Sequence, residues 1–287
     1  MTQSILAATD FSVQSAAAVA RAGELATAHS WPLHLAHIAH PGLLESLQAL
    51  LGMAPQELDE RHAAAVRQQL TAMRATPLPT GQDLVLDGQP AEALARLAGE
   101  VAAELLVIGA HGEGFLDSLR LGSTASRLIR RTPCPVLVVK QAPVGSYRRA
   151  LIATDFFPPS LAALRLTRRL LPDAAIVLVH AIETPFESKM EHAGIGAELI
   201  ARYRIDAQRE ARTRLRELVD REALPANTEQ IARHGDIARL IVDQAEALDC
   251  DLIVVGKHGL GPVEDFLLGS TTFNVLRESG RDVLISR

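Results

Sequence analysis

Cysteine pairs, long apolar runs and excess positive charge are all scarce in this sequence, and each shortage excludes a class of protein. The two cysteines, Cys134 and Cys250, are far apart and belong to no C-x-x-C pair, so the sequence predicts buried thiols rather than a disulfide framework or a cysteine zinc site. No apolar run approaches the ~20 residues that span a bilayer, and the first residues lack the pattern of a secretory signal. We therefore expect a cytoplasmic protein.

The charges are nearly balanced. There are 29 Lys and Arg residues against 34 Asp and Glu, a net charge of -5, and no block of like charges, which argues against a nucleic-acid partner. Apolar residues make up 48% of the 287 residues and charged residues 22%, so a packed core is expected. At roughly 150 residues per domain, the length predicts two modest domains.

The most informative feature of the sequence is an internal repeat. ATDF occurs twice, placing Asp10 opposite Asp155 at a shift of 155 − 10 = 145 residues. Further on, AELLVIGAHG at 103–112 matches CDLIVVGKHG at 250–259, a shift of 250 − 103 = 147, and LGST recurs at the same shift. The chain is therefore a tandem duplication. A Pro, Gly and Ser-containing stretch at 141–146 predicts a short linker between domains at 1–143 and 147–287.

Each copy alternates short apolar runs with longer amphipathic stretches, which is typical of βα units around a parallel sheet. The fold class is thus α/β, with two Rossmann-like domains. The predicted strands are 5–9, 33–38, 83–86, 105–109 and 136–140 in the first copy, then 150–154, 176–181, 228–232, 252–256 and 282–286 in the second. The principal predicted helices are 13–29, 90–101, 123–130 and 193–222.

Both copies contain the pattern G-x-x-G-x9-G-S-T, which suits the binding of phosphate groups. The first glycine ends a buried strand, where a ligand can approach a backbone that has no Cβ. The third glycine precedes a helix whose first N–H groups lack intrahelical partners, so with the Ser and Thr hydroxyls they form an anion site. The residues are Gly109, Gly112, Gly122, Ser123 and Thr124 in the first copy, and Gly256, Gly259, Gly269, Ser270 and Thr271 in the second.

Asp10 and Asp155 each end the first strand of a copy. If the strand order reverses beside that strand, each carboxylate lies with the glycine loop at the crevice where open α/β sheets bind ligands, in reach of ribose hydroxyls or an adenine amino group. In a single copy, turn chemistry and helix capping would be the favoured explanation of these residues. Because both copies keep them while many intervening positions differ, the duplication favours binding.

These residues and motifs resemble the universal stress protein family in its tandem form. The resemblance is carried by the strand-end aspartates, the VIGAHG and VVGKHG turns and both glycine patterns, and it covers essentially the whole chain. It implies a five-stranded parallel sheet of order 3-2-1-4-5 with helices on both faces in each domain. Members with this glycine pattern are ATP binders, so the resemblance also implies ATP as ligand, with Mg²⁺ as an open addition.

The resemblance assigns a role to each site residue. Asp10 serves the adenosine, the backbone of Ile38 meets the adenine, and Gly109, Gly112, Gly122, Ser123 and Thr124 hold ribose and phosphates. The second site uses Asp155, Ala181, Gly256, Gly259, Gly269, Ser270 and Thr271 in the same way. Lys257 replaces Ala110 in the second turn, and contact with a triphosphate or exposure to solvent are both open for it.

One departure from the family pattern concerns the entry to the last strand. The first copy reads TPCPV at 132–136, close to the usual proline-bearing entry, whereas the second reads SGRDV at 279–283. The family commonly pairs domains through this strand, so the resemblance leaves the geometry of that contact open. An intrachain pseudo-dimer is expected, with a homodimer as an open alternative.

The leading functional hypothesis is an ATP-binding stress-response or signalling protein with one site in each domain. The alternative is an ATP hydrolase or adenylate-forming enzyme. Because the sequence contains no nucleophile elbow, we expect slow ATP hydrolysis at most. A module that binds a non-nucleotide ligand is the third possibility. His34 and His37 should point to opposite faces of a strand, so no metal site is predicted.

Overall fold

The computed structural model describes residues 3–39, 55–74, 80–112, 122–182, 184, 187–257 and 269–286. The first half contains strands β1 (Ser4–Ala8), β2 (Leu33–Ala39), β3 (Asp83–Asp87), β4 (Ala103–Gly109) and β5 (Val136–Val139). Its helices are α1 (Val13–His29), α2 (Pro55–Met73), α3 (Pro90–Glu100) and α4 (Ser123–Arg131).

The second half repeats this plan. Its strands are β6 (Arg149–Ala153), β7 (Ala175–Ile182), β8 (Glu229–His234), β9 (Leu252–Gly256) and β10 (Asp282–Ser286). Its helices are α5 (Pro158–Leu170), α6 (Glu187–His192), α7 (Ala197–Arg221), α8 (Ile237–Ala247) and α9 (Ser270–Glu278). The helix predicted at 193–222 begins four residues later than expected, after Gly196, and β8 extends two residues beyond its predicted end.

All ten strands form one sheet, in the order β3-β2-β1-β4-β5-β10-β9-β6-β7-β8. Within each half the strands are parallel and follow the order 3-2-1-4-5, which confirms the predicted topology. The halves meet through β5 and β10, which pair antiparallel with Leu137 opposite Leu284. The pairing through the last strand therefore persists despite the altered entry at 279–283.

The alternation of side chains along each strand builds an apolar layer on either face of the sheet. In β1, Ile5 and Ala7 face one layer and Leu6 the other. Helices α1, α2, α5 and α7 pack into the first layer, and α3, α4, α8 and α9 into the second. Because the strands are buried on both faces, they are continuous apolar runs such as LLVI in β4. Among the described residues, no helix is both long and apolar enough to cross a bilayer.

A buried acid occupies the altered entry to β10. Asp282 is 3% exposed and stands where the first half has Pro135. One of its oxygens, Oδ1, accepts hydrogen bonds from the backbone N–H groups of Lys140 (2.8 Å) and Gln141 (3.3 Å), and Oδ2 accepts one from the Tyr147 hydroxyl (2.5 Å). The acid that replaces the usual proline thus connects residues in and beside the linker to the second half.

Cations surround this acid and hold the same linker. Arg21 of α1 is 6% exposed, lies over the Tyr147 ring at 4.0 Å and donates to the Gly145 carbonyl at 2.7 Å. The Lys140 ammonium donates to the carbonyls of Leu276 and Ser279 at the end of α9. Burial is the main influence on all three ionisable partners: it raises the pKa of Tyr147 and of Asp282 and lowers the pKa of Lys140 to about 8.

We propose that 1–143 and 147–287 fold as separate domains, and their isolated fragments test this. Each fragment should unfold cooperatively, because each has its own five-stranded sheet covered on both faces. Each should also self-associate or bind the other, since separation exposes the edges of β5 and β10. Denaturant unfolding and sedimentation measure both properties. If neither fragment folds, alone or mixed with its counterpart, the boundary is wrong.

Candidate functional site

A cavity of about 320 Å³ lies beyond the carboxyl ends of β1 and β4 in the first half. The strand order reverses here, because β1 pairs with β2 on one side and with β4 on the other. The described lining comes from the first half alone. It includes Asp10, Ile38, Gly109, Gly112, Gly122, Ser123 and Thr124. The structure therefore brings together the seven residues predicted for the first site.

Apolar side chains that the sequence analysis did not single out complete the cavity wall. These are Ala36 of β2, Pro90 and Leu94 of α3, Ile108 of β4 and Leu128 of α4. They come from four elements that are separated in sequence. Pro90 begins α3 and Ile108 is the second-last residue of β4, whereas the other three lie within their elements, so only the fold shows that all five face the cavity. A mostly apolar pocket with a few polar groups is the usual form of a small-molecule site.

Asp10 follows β1 and is fixed by the start of α1. Its Oδ1 accepts hydrogen bonds from the Ser12 backbone N–H at 3.1 Å and from the Ser12 hydroxyl at 2.6 Å. Ser12 in turn caps α1, because its hydroxyl accepts from the backbone N–H of Ser15 at 3.2 Å. The carboxylate thus supports the cap and also lines the cavity, so the capping and binding interpretations are compatible.

The glycines of the first turn are required by close packing within the protein. A Cβ on Gly112 would lie 2.6 Å from Asp10 Oδ2, and one on Gly109 would lie 3.0 Å from the backbone carbon of Gln14 in α1. In the second half, a Cβ on Gly256 would lie 2.8 Å from the backbone nitrogen of Ser160. Contact of the strand end with a helix of the same half, α1 for Gly109 and α5 for Gly256, therefore accounts for both glycines without a ligand.

Gly122 is different, because no contact among the described residues requires a glycine there. Its backbone has φ −60° and ψ 149°, which any residue adopts, and a Cβ would meet no atom closer than the Ala110 carbonyl oxygen at 3.4 Å. Gly122 immediately precedes α4, and the first turn of that helix, Ser123 to Ala125, also lines the cavity. The N–H groups of this turn have no preceding helical carbonyl, and they carry the positive end of the helix dipole.

The second half repeats the frame with altered contacts. Asp155 Oδ1 accepts from the backbone N–H of Phe157 at 3.0 Å and from the Ser160 hydroxyl at 2.7 Å, because Phe157 replaces the capping serine. Gly269 precedes α9 with φ −54° and ψ 145°, close to the values at Gly122, and Ser270 and Thr271 begin the helix. Ala181 lies in β7. Gly259 is outside the described residues, and its predicted role stays a prediction.

One of the two interpretations of Lys257 placed its side chain in solvent, but the side chain is buried. It is 8% exposed, and its Nζ donates to the Arg130 carbonyl oxygen at 3.0 Å, in the last turn of α4. A cation there also complements the negative end of the helix dipole. A phosphate contact would use another of the three N–H groups of the ammonium. That contact stays a prediction, while the observed bond ties the second glycine turn to the helix whose first turn lines the first cavity.

The polar groups at the site offer anion and hydroxyl recognition. Within the part of the chain that the structure describes, no group of three or more His, Cys, Asp or Glu side chains comes together to hold a metal ion. The described site combines one carboxylate, one helix N-terminus with its hydroxyls, and an apolar wall. This combination suits a ligand with an apolar ring, hydroxyl groups and an anionic tail.

Comparison with known proteins identifies the duplicated unit. The model of the universal stress protein family matches residues 1–140 and again residues 146–287. The chain belongs to the universal stress protein family. It is a tandem universal stress protein, with two copies of the family unit in one chain.

Individual relatives agree with this assignment. A universal stress protein of Thermus aquaticus is 34% identical over 142 residues, which is 49% of this chain and all of that protein. One from Mycolicibacterium smegmatis is 28% identical over 307 residues, covering 99% of this chain and 96% of that protein. One from Mycobacterium tuberculosis is 29% identical over 195 residues, and this chain spans 62% of its length.

Solved structures show the same fold over the whole chain. The crystal structure of a universal stress protein from Archaeoglobus fulgidus matches with a TM-score of 0.66 at 16% identity. The match covers 99% of this chain and 98% of that one. At this identity the likeness establishes the two-unit α/β fold of this universal stress protein and nothing about its ligand.

Proposed function

We propose that this universal stress protein binds adenine nucleotides, ATP above all, in the first-half cavity, and that it acts in stress response or signalling through the bound state. The apolar wall of Ile38, Leu94 and Ile108 suits the faces of adenine, and Asp10 suits the ribose hydroxyls. The helix N-terminus at Ser123 suits the phosphates. Bound Mg²⁺ would accompany the phosphates as part of the ligand.

The observation that carries the proposal is Gly122. The described part of the chain leaves room for a Cβ at this position and the backbone permits one, yet the residue that lines the cavity before α4 is glycine. A ligand that approaches the backbone supplies the missing reason, since a Cβ would project among the cavity-lining residues. The surrounding hydroxyls and N–H groups favour an anion as that ligand.

The proposal extends to the second half by the internal repeat. Asp155, Ala181, Gly256, Gly259, Gly269, Ser270 and Thr271 would hold a second nucleotide in the same roles. Two features distinguish this site from the first: Phe157 stands where Ser12 supports the acid, and the Lys257 ammonium is bound to α4. We therefore expect the two sites to differ in affinity.

ATP should raise the melting temperature of the protein. At a free concentration one hundred times the dissociation constant, a single site stabilises the folded state by about 2.7 kcal/mol, which corresponds to about 5 °C for a chain of this size. Thermal unfolding with ATP, adenosine and inorganic triphosphate measures the effect. Adenosine and triphosphate should each raise the temperature less than ATP does.

Two results would count against the proposal. No shift with millimolar ATP would exclude a nucleotide site of useful affinity. A shift of equal size with inorganic triphosphate would assign the cavity to anions in general. Steady ATP turnover at several per second would instead favour the enzyme hypothesis over a signalling role.

A further inference from the structure

The residue after each strand-end aspartate has an unusual backbone conformation. Phe11 has φ 65° and Phe156 has φ 67°, both in the left-handed region. This region is uncommon for residues other than glycine, and a bulky side chain there is a true outlier. Such strain persists only where neighbouring contacts impose it, and it tends to occur at functional sites.

A histidine from the adjacent strand provides those contacts in the first half. Nδ1 of His37 in β2 lies 2.9 Å from the Thr9 carbonyl oxygen, and the His37 ring packs against the Phe11 ring with 4.7 Å between centroids. Because a carbonyl oxygen can only accept, Nδ1 carries the proton and donates it. The backbone N–H of Phe11 also donates to the Thr9 hydroxyl at 3.0 Å. The residues on both sides of Asp10 are thus held.

The second half reproduces this arrangement. Nδ1 of His180 lies 2.8 Å from the Thr154 carbonyl oxygen, and its ring packs against Phe156 with 4.5 Å between centroids. The Phe156 N–H donates to the Thr154 hydroxyl at 3.0 Å. Both halves keep these contacts although the hydrogen bonds made by the two aspartates themselves differ. We call the two sets, Thr9 with Phe11 and His37, and Thr154 with Phe156 and His180, the turn clamps.

The two rings of the first turn clamp lie outside the cavity lining. Thr9, Asp10 and Ile38 line the cavity, whereas His37 and Phe11 do not. Since side chains alternate along a strand, His37 points to the face of the sheet opposite to that of its neighbours Ala36 and Ile38. The histidine therefore acts on a ligand indirectly, and its hydrogen bond to Thr9 leads to the turn that carries Asp10.

We propose that His37 is a positioning residue for the recognition of ribose hydroxyls by Asp10. The inference rests on the proposed nucleotide function. The hydrogen bond from Nδ1 to the Thr9 carbonyl, together with the ring contact, holds Phe11 in the left-handed conformation and so sets the direction of the Asp10 carboxylate. Loss of this bond affects the hydroxyl contacts of the ligand and leaves its base and phosphate contacts in place.

Comparison of ATP with 2′,3′-dideoxy-ATP tests the inference. The titrations use the full chain carrying Gly269→Val, so that the first half alone reports. His37→Leu should weaken ATP about tenfold and dideoxy-ATP by less than about twofold, so the preference for ATP disappears. In His37→Asn the amide nitrogen is bonded to Cγ, as Nδ1 is in histidine, so the donor is kept. This variant should restore most of the preference for ATP.

His29→Leu is the matched control. Nε2 of His29 lies 2.8 Å from the Leu170 carbonyl oxygen, and its ring stacks on Trp31 with centroids 4.7 Å apart, but neither lines the cavity. This variant should leave the preference for ATP unchanged. If His37→Leu keeps the preference, or if His29→Leu abolishes it equally, the positioning role is wrong. If the unaltered chain binds no ATP, the proposed function fails instead, and the inference fails with it.

Discussion

Replacing Gly122 with valine should weaken ATP binding to the first half about a hundredfold. The new side chain would stand immediately before the first turn of α4, beside the cavity-lining residues Ala110 and His111. Hydrogen bonds to a charged group contribute about 1.5–3 kcal/mol each, so loss of one or two gives an effect of this size. Isothermal titration with ATP measures it.

Gly196→Val is the control for this substitution. Gly196 also immediately precedes a helix, has φ −60° and ψ 146°, and leaves open space around a Cβ, but it does not line the cavity. Any cost of placing valine before a helix is therefore common to both variants. Gly122→Ala adds only the Cβ that the protein accommodates, and it should weaken ATP as well. Unchanged affinity in both Gly122 variants would contradict an anion site at α4.

Replacing Asp282 with alanine should lower the free energy of unfolding by about 3 kcal/mol. The change removes the acceptor of two backbone N–H groups and of the Tyr147 hydroxyl, all at a buried position. It also removes an acid that lies 3.9 Å from the Arg21 Nε, while Glu24 remains paired with the same guanidinium at 2.6 Å. Each buried donor left without an acceptor costs about 1–3 kcal/mol, and the three together outweigh the desolvation cost of the carboxylate.

Asp251→Ala is the matched control, measured by the same denaturant titration. Asp251 also accepts from two consecutive backbone N–H groups, those of Arg148 (2.6 Å) and Arg149 (3.0 Å), but its side chain is 24% exposed. Water can replace it, so the expected loss is about 1 kcal/mol. Equal losses in the two variants would mean that the buried contacts of Asp282 stabilise the protein no more than the partly exposed contacts of Asp251.

The repeat made most of the fold predictable. Because Asp10 and Asp155, and the two glycine patterns, recur at nearly constant shifts, the sequence predicts two equal units and places the same elements in each. Apolar runs such as LLVI then locate the buried strands. The first-half site followed as well, since the carboxyl ends of parallel strands lie at one edge of a sheet.

Contacts between residues far apart in sequence were not predictable. The sequence shows an acid at 282 in place of a proline, but only the fold brings Tyr147 and the Lys140 backbone to it. The bond from Lys257 to the Arg130 carbonyl depends likewise on how the halves meet. His37 was considered only as a metal ligand, although His180 follows it at a shift of 180 − 37 = 143, close to that of the aspartates.

A crystal structure of the protein grown with ATP tests the central claim most directly. We expect the nucleotide in the first-half cavity, with its phosphates at the N–H groups of Ser123 to Ala125 and its ribose hydroxyls at Asp10. Ile38 should lie against the adenine. Nucleotide bound with its phosphates away from α4, or a cavity without nucleotide at saturating ATP, would contradict the account.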